Sequence, residues 1–506
     1  MDYLNSQEFS AHVEAIQEKW HIPGIAIAVV QGGETSSKGF GKAKLNPPKP
    51  CTPDTIFDIA SVSKNLTAAS VAVLIDDDEK YPDVQWDATM SSLLPDDFVM
   101  TGEGYTENVT VEDILSHRTG LPTHDSTYLG IRSERPDNAR SVTRNLRNLE
   151  VAEPIRSKWM YCNLMFTAAT HLVQKKTGQS FEEFIHTHFF KPLDMSSTNL
   201  QPNAAKAAGL ADRIAGSYIW EEKKAQYKEI QILQTPEDQG AGSILSSVND
   251  YIKYVKAILN REGPFTEAVY KGLIKPRIVT NPDDDDLDPF TSWTMYAAGF
   301  ETYFYRGHLV VQHDGSINGF GSTLFFMPQF DFGGVVFGNS GSATSPANFL
   351  GRELMDAALK IPLAERVNWD EVYSAKTAKW EQENEDEGPK VKKALWPEYD
   401  GKAQEQTMPL SSYTGKFFNA GYHKMIVQVK DNQLFIDASD RCMGFYIKFE
   451  HLCDQTKFVA LLIDCEDDEF EEPLAAEFEF EGGRAVRMGI KMDPDLEDYI
   501  WFDRIE

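Results

Sequence analysis

A chain of 506 residues is too long for one compact core, since cores stop growing near about 250–300 residues, and two or three domains are expected. Hydrophobic residues make up 42% and charged residues 25%, an ordinary globular composition that excludes wholesale disorder, a collagen-like repeat and a coiled-coil rod. The 49 Lys and Arg against 78 Asp and Glu give a net charge of −29, which repels phosphate backbones and anionic headgroups, so neither nucleic acid nor membrane is an expected partner.

The opening Met1-Asp2-Tyr3-Leu4-Asn5-Ser6-Gln7-Glu8 has no basic segment followed by an apolar one, and no apolar run approaches the ~20 residues of a membrane span. Cys51, Cys162, Cys442, Cys453 and Cys465 are odd in number, scattered and form no CxxC, so they read as reduced thiols. A cytoplasmic location is expected on both counts.

In chain order, the apolar run between Pro23 and Gly33 reads as a strand buried on both faces. Ile59 to Ile75 reads as a helix with an apolar face through Leu66, Ala69, Val73 and Leu74, and further helices are expected at Leu164 to Lys176 and Val248 to Leu259. Asp283 to Asp286 lack the spacing of a calcium loop and read as a solvated loop. Gly321 to Met327 and Gly334 to Phe337 form a hairpin across the Pro328 to Gly333 turn. Strands near both ends with helices between predict an α/β (α+β) domain over residues 1–365, with one mixed sheet covered by helices and an all-α region. Residues 366–407 read as a charged linker centred on Glu381 to Pro389. From residue 408 the period is two. Met425 to Val429, Asp431-Asn432 and Leu434 to Ile436 read as a hairpin, and Ala476 to Glu481 as a strand with one wet face, so an all-β barrel or sandwich is expected over 408–506.

Three motifs carry chemistry. Ser61-Val62-Ser63-Lys64 opens the predicted helix, so the Lys64 amine and Ser61 hydroxyl share a face in the field of unpaired N–H groups. A serine hydroxyl becomes a nucleophile when a neighbouring base takes its proton, and a lysine is that base once its pKa is lowered. Tyr161-Cys162-Asn163 precedes a helix, and His313-Asp314-Gly315-Ser316 precedes the hairpin strand. Each alone is uninformative; their order and spacing carry the signal.

Together they resemble the serine β-lactamase and penicillin-binding-protein-like hydrolases, in the class C-like branch that includes esterases, D-aminopeptidases and acyltransferases. The resemblance spans roughly residues 8 to 360. It rests on Phe57 to Lys64, on Ile114-Leu115-Ser116-His117-Arg118-Thr119-Gly120-Leu121-Pro122, on Trp159 to Asn163, on Phe189 to Met195, on Gly240 to Ser247 and on His313 to Ser316. It implies that Ser61 is the acylated nucleophile, that Lys64 and Tyr161 share the acid and base work, that His313 belongs to the catalytic set, and that Asn163 orients substrate and Lys64. It implies an oxyanion hole from the Ser61 and Ser316 N–H groups, with Gly315 on the same strand. The family's Lys-Thr-Gly is replaced by His313-Asp314-Gly315, so a substrate carboxylate loses its cationic partner. The region after 408 resembles the lipocalin-like domain appended to such hydrolases, through Leu410 to Phe417, and is expected to be a stability or dimer module, with a loop that reaches the active-site mouth, as the resemblance allows, as the alternative.

The other candidates read as structure. His117 is expected to be a hydrogen-bonded structural histidine, His186 and His188 lack a third metal ligand, and Cys162 is expected to pack. Trp159, Trp293, Tyr296 and Phe320 fit either an apolar substrate pocket or the core. The resemblance thus implies hydrolysis, with no metal or cofactor, of an ester or amide of a small molecule or short peptide, D-residue peptides included. An acyltransferase or cyclase using the same acyl-enzyme, and a catalytically silent scaffold, are the alternatives.

Overall fold

The computed structural model describes residues 2–282, 287–467, 469 and 471–505; Asp283 to Asp286, expected as a solvated loop, lie outside them. The apolar run after Pro23 forms β1 (Gly24–Gln31), buried along all but its last residue. With β2 (Glu34–Leu45), β3 (Pro48–Pro50), β4 (Ile278–Val279), β5 (Met295–Tyr296), β6 (Glu301–Tyr305), β7 (His308–Ile317), β8 (Phe320–Met327) and β9 (Phe332–Gly338) it builds a nine-stranded sheet. The order is β3-β2-β1-β9-β8-β7-β6-β5-β4. Every ladder is antiparallel, a stricter order than the mixed sheet expected.

β1 is apolar throughout because both of its faces are covered. Ile25, Ile27 and Val29 pack with α1 (Gln7–Lys19) through Phe9, Val13 and Ile16. Ala26, Ala28 and Val30 face the larger core of α2 (Lys64–Asp76), α3 (Asn163–Thr177) and α4 (Val248–Asn260). α2 is buried nearly all round, including Lys64, Asn65 and Thr67. On the first face lies α5 (Thr344–Ala358), with Phe349 and Leu350 against the sheet.

The segment read as a linker contains a long helix, α6 (Trp369–Leu395), capped by the Asn368 side chain. Its Glu381 to Glu385 stretch is exposed, as the composition implies, but Ala, Glu, Gln and Lys are also strong helix formers. The two ends are docked: Trp369 is buried beside Tyr305, and Val391 and Leu395 pack on Leu452, Cys453 and Val459 of the following domain.

That domain is a closed eight-stranded barrel in simple sequence order: β10 (Gly415–Asn419), β11 (His423–Lys430), β12 (Gln433–Ala438), β13 (Phe445–Cys453), β14 (Lys457–Asp464), β15 (Glu471–Glu481), β16 (Arg484–Ile490) and β17 (Ile500–Arg504). The β11–β12 turn is Asp431-Asn432, with φ of 51° and 60°, the left-handed pair that a two-residue hairpin requires. Inside, the rings of Tyr413, Phe449, Phe458 and Phe478 meet at centroid distances of 5.3–6.2 Å. All five cysteines are unpaired. Among the described residues, no helix is long and apolar enough to cross a membrane.

Candidate active site

Ser61 sits in a 3₁₀ turn (Ala60–Ser63) that runs directly into α2. The preceding Ala60 has φ of 45°, a left-handed conformation rare for a residue with a Cβ, and its N–H is held by the Asp58 carboxylate at 2.8 Å. Ile59 N–H donates to the Ile244 carbonyl at 3.0 Å, the Ser322 hydroxyl donates to the Ile59 carbonyl at 2.8 Å, and the Tyr251 phenol donates to the Val62 carbonyl at 3.2 Å. Three separate elements thus fix the turn.

Two side chains converge on the Ser61 hydroxyl. Lys64 Nζ lies 3.0 Å from Ser61 Oγ and donates to the Ala241 carbonyl at 2.7 Å. The Tyr161 phenol donates to Ser61 Oγ at 2.8 Å. Burial lowers the Lys64 pKa to about 8, against the opposing pull of Asp238 and Asp125. Burial also pushes the Tyr161 phenol well above its ordinary value, so it is a proton donor at neutral pH, and the same cause raises the Cys162 thiol and keeps it unreactive.

Gly315 and Ser316 lie on β7 past Gln312, where pairing with β6 ends, while β8 continues alongside as Gly315↔Ser322 and Ser316↔Gly321. Ser316 lines the same pocket as Ser61. A Cβ on Gly315 would stand 2.4 Å from the Ile59 carbonyl oxygen and 3.1 Å from Ser61 N, so only glycine permits this approach of strand to turn.

Asn163 lines the pocket beside Ser61, as an implied substrate-orienting residue should, but the hydrogen bonding of Asn163 and His313 differs from what is implied. Asn163, the first residue of α3, points its amide at Asp125, donating at 3.2 Å to each carboxylate oxygen, and makes no hydrogen bond to Lys64. A nearby carboxylate is the stronger acceptor for that amide, and the Lys64 amine takes the Ala241 carbonyl instead. His313 is buried beneath the site with both ring nitrogens engaged: Tyr296 donates to Nε2 at 2.8 Å, and Nδ1–H is directed at the Asp314 carbonyl at 2.6 Å. Burial lowers its pKa to about 4. Its ring therefore stays neutral and makes no hydrogen bond with Ser61, Lys64 or Tyr161.

The pocket over Ser61 is small, about 70 Å³, and walled by Tyr128, Leu233, Ile317, Cys442 and Met443, with Asp125 and Asp238 at its side. Burial raises the two carboxyls to about 6 and about 7. Trp159, Trp293, Tyr296 and Phe320 are absent from this lining. Tyr296 and Phe320 are core, and Trp293 is 57% exposed. Beyond Leu233, Cys442 and Met443 the pocket continues into a groove bordered by Arg132, Gln234, Glu237 and Glu466.

Cys442 and Met443 belong to the β12–β13 loop of the barrel, so the second domain walls the site instead of standing apart as a stability module. Leu129 and Arg441 form an antiparallel bridge, Gly130 N–H donates to the Asp440 carbonyl at 2.9 Å, and Cys442 N–H to the Tyr128 carbonyl at 3.1 Å. Arg441 is buried and anchored on the carbonyls of Tyr422 and Lys424 at 2.9 and 3.2 Å. The barrel also grips the 123–125 loop, where the Asp493 carboxylate accepts His124 N–H at 3.1 Å and the Tyr422 phenol meets His124 Nδ1 at 2.7 Å. Sequence reasoning missed Asp125, Tyr128, Asp238, Ala241 and Met443.

The family profile described as Beta-lactamase matches residues 9–359. The chain belongs to the β-lactamase family. An unguisins hydrolase of Aspergillus campestris is 32% identical over 98% of this chain and 92% of its own length. A domain of unknown function matches residues 400–504, the barrel. The fold is that of the octameric penicillin-binding protein homologue from Pyrococcus abyssi (TM-score 0.60, 18% identity, 97% of this chain and 98% of the other). The catalytic domain is also similar to the class C β-lactamase from Rhodobacter sphaeroides (TM-score 0.53, 22% identity, 68% of this chain and 98% of the other). This is a serine hydrolase of the β-lactamase family, with hydrolase-named relatives.

Two outcomes are expected from the geometry. Gly315→Ala should push the Ser61 turn away from β7 and lower the acylation rate by about 100-fold with the fold retained, as read by ester burst kinetics and circular dichroism. A base at Lys64 must be neutral. Below its pKa of about 8 the neutral fraction falls about tenfold per pH unit, so acylation should climb with pH and level off above about 8. A flat profile between about pH 6 and 9 would contradict a lysine base.

Proposed function

We propose that this chain hydrolyses an ester or amide bond through an acyl-enzyme on Ser61, and that its substrate is an unguisin or a comparable small molecule or short peptide, D-residue peptides included. The observation that carries the reading is the meeting of Lys64 Nζ and the Tyr161 phenol on Ser61 Oγ at 3.0 and 2.8 Å. Neutral Lys64 takes the Ser61 proton as Oγ attacks the carbonyl carbon. The Ser61 and Ser316 N–H groups hold the resulting oxyanion, each such donor contributing about 2.7–4 kcal/mol in the transition state. The leaving group departs with the Tyr161 proton, and Lys64 returns its extra proton to Tyr161. Water then enters by the reverse path and frees Ser61. These steps call on no cofactor.

The pocket favours substrates without a carboxylate beside the scissile bond. Asp125 and Asp238 line it, and the strand position that would carry a lysine holds neutral His313. The pocket adjoins the groove past Met443 through Leu233, Cys442 and Met443, and the part of a substrate beyond the reacting group extends that way. Hydrolysis is preferred to transfer because the relative that matches along nearly the whole chain is named a hydrolase.

Intact-mass spectrometry across unguisins, p-nitrophenyl esters, D-amino-acid amides and penicillins tests the reading. A covalent adduct is expected with esters or amides, absent in Ser61→Ala, and poor with penicillins. An adduct that persists in Ser61→Ala, or no adduct from any ester or amide, would overturn it. Added amines or alcohols that capture the acyl group in place of water would identify a transferase.

A further inference from the structure

His117 lies in the Ile114 to Pro122 motif, and no step above uses it. The residue is fully buried, with a left-handed backbone at φ 56°. Its carbonyl accepts Met160 N–H at 2.7 Å, and its ring Nδ1 accepts Cys162 N–H at 3.0 Å. The two bonds grip the chain on either side of Tyr161. The imidazole also lies 4.3 Å from the Tyr161 ring, tilted by 32°.

The rest of the motif is sewn to the same loop. The Arg118 carbonyl accepts Arg156 N–H at 2.7 Å, and the Gly120 carbonyl accepts the N–H groups of Ala152 and Glu153 at 2.9 and 3.2 Å. The buried Asp113 carboxylate clamps both sides, taking Arg118 Nε and Arg156 Nη2 at 2.6 Å each. We propose that His117 is the positioning residue for Tyr161, fixing the phenol on the Ser61 hydroxyl through the Cys162 backbone. The inference rests on the role for Tyr161 given in the preceding subsection.

A histidine is needed here for its acceptor. Nδ1 receives an N–H, so the ring proton resides on Nε2. Nε2 is buried and has no partner among the described residues, a cost that an apolar side chain of the same shape would avoid. Burial, reinforced by the nearby Lys64, holds the imidazole well below its ordinary pKa and so neutral, and Nδ1 remains an acceptor at every working pH. Without it the buried Cys162 N–H is orphaned, and the 160–162 chain has reason to shift.

The test is a double-mutant cycle. Burst acylation by p-nitrophenyl butyrate is measured for His117→Asn and His117→Gln, each in the wild-type and Tyr161→Phe backgrounds, with thermal unfolding of every variant. Asn places an acceptor where Nδ1 sits and tolerates a left-handed backbone; Gln places it where Nε2 sits. His117→Asn should retain the rate within about 3-fold, and His117→Gln should lower it about 50-fold at unchanged KM. In the Tyr161→Phe background His117→Gln should cost under about 2-fold, because the phenol it positions is gone. If His117→Gln does not fold, His117→Ala replaces it in the same cycle. An equal loss in both backgrounds, a wild-type rate in His117→Gln, or an Asn variant as slow as the Gln variant overturns the inference alone. A wild-type rate in Tyr161→Phe overturns the role of the phenol as well.

Discussion

Lys64 carries an amine into a fully buried position where its partners are one backbone carbonyl and one hydroxyl. Burying an ammonium costs far more than two neutral acceptors return, so the proton is loosened and the amine becomes a base near neutrality. Everything around it serves that situation. α2 is buried on nearly all sides because it must bring Lys64 beneath Ser61. The Gly240 to Ser243 segment supplies a carbonyl, and Asp125 and Asp238 stand close enough to temper the loss of charge without neutralising it.

The hydroxyl that the amine serves is held by tension between layers. The 3₁₀ turn at Ser61 is stitched to Ile244, to Ser322 on the sheet and to Tyr251 on α4. Gly315 lets β7 approach until backbone meets backbone. Ala60 accepts an unfavourable φ in the process, and its neighbours over-determine that choice. From the other side, a loop sewn to the Ile114 to Pro122 motif delivers Tyr161. The Ser61 hydroxyl and the Lys64 amine therefore come from one segment, the turn that runs into α2, and the Tyr161 phenol from another, and the two segments meet at this point.

Much of this was legible in the sequence. The unbroken apolar run of β1, the period-two strands of the barrel and the Asp431-Asn432 turn each have a local cause, and each appears where local rules place it. The order of their motifs, and the family resemblance it carries, single out Ser61, Lys64 and Tyr161, and the structure brings the three side chains within hydrogen-bond reach. The orientation of Asn163 and the burial of His313 are not local: each depends on a partner, Asp125 or Tyr296, that no spacing announces. The Ala241 carbonyl has no side-chain signature at all. In α6 the charged composition correctly signals solvent, but helix propensity and two docked ends decide the backbone. The barrel loop eluded the sequence because a Leu129–Arg441 bridge between residues more than three hundred positions apart leaves no periodic trace.

That bridge divides labour within the polypeptide. The atoms that touch Ser61 Oγ belong to the first domain, whereas Cys442 and Met443, which bound the cavity above it, arrive on a hairpin connection of the second. None of the hydrogen bonds of Ser61 Oγ or Lys64 Nζ runs through that connection. The reacting centre is thereby insulated from variation in its own ceiling, and a lineage could remodel what enters the cavity while leaving the chemistry untouched.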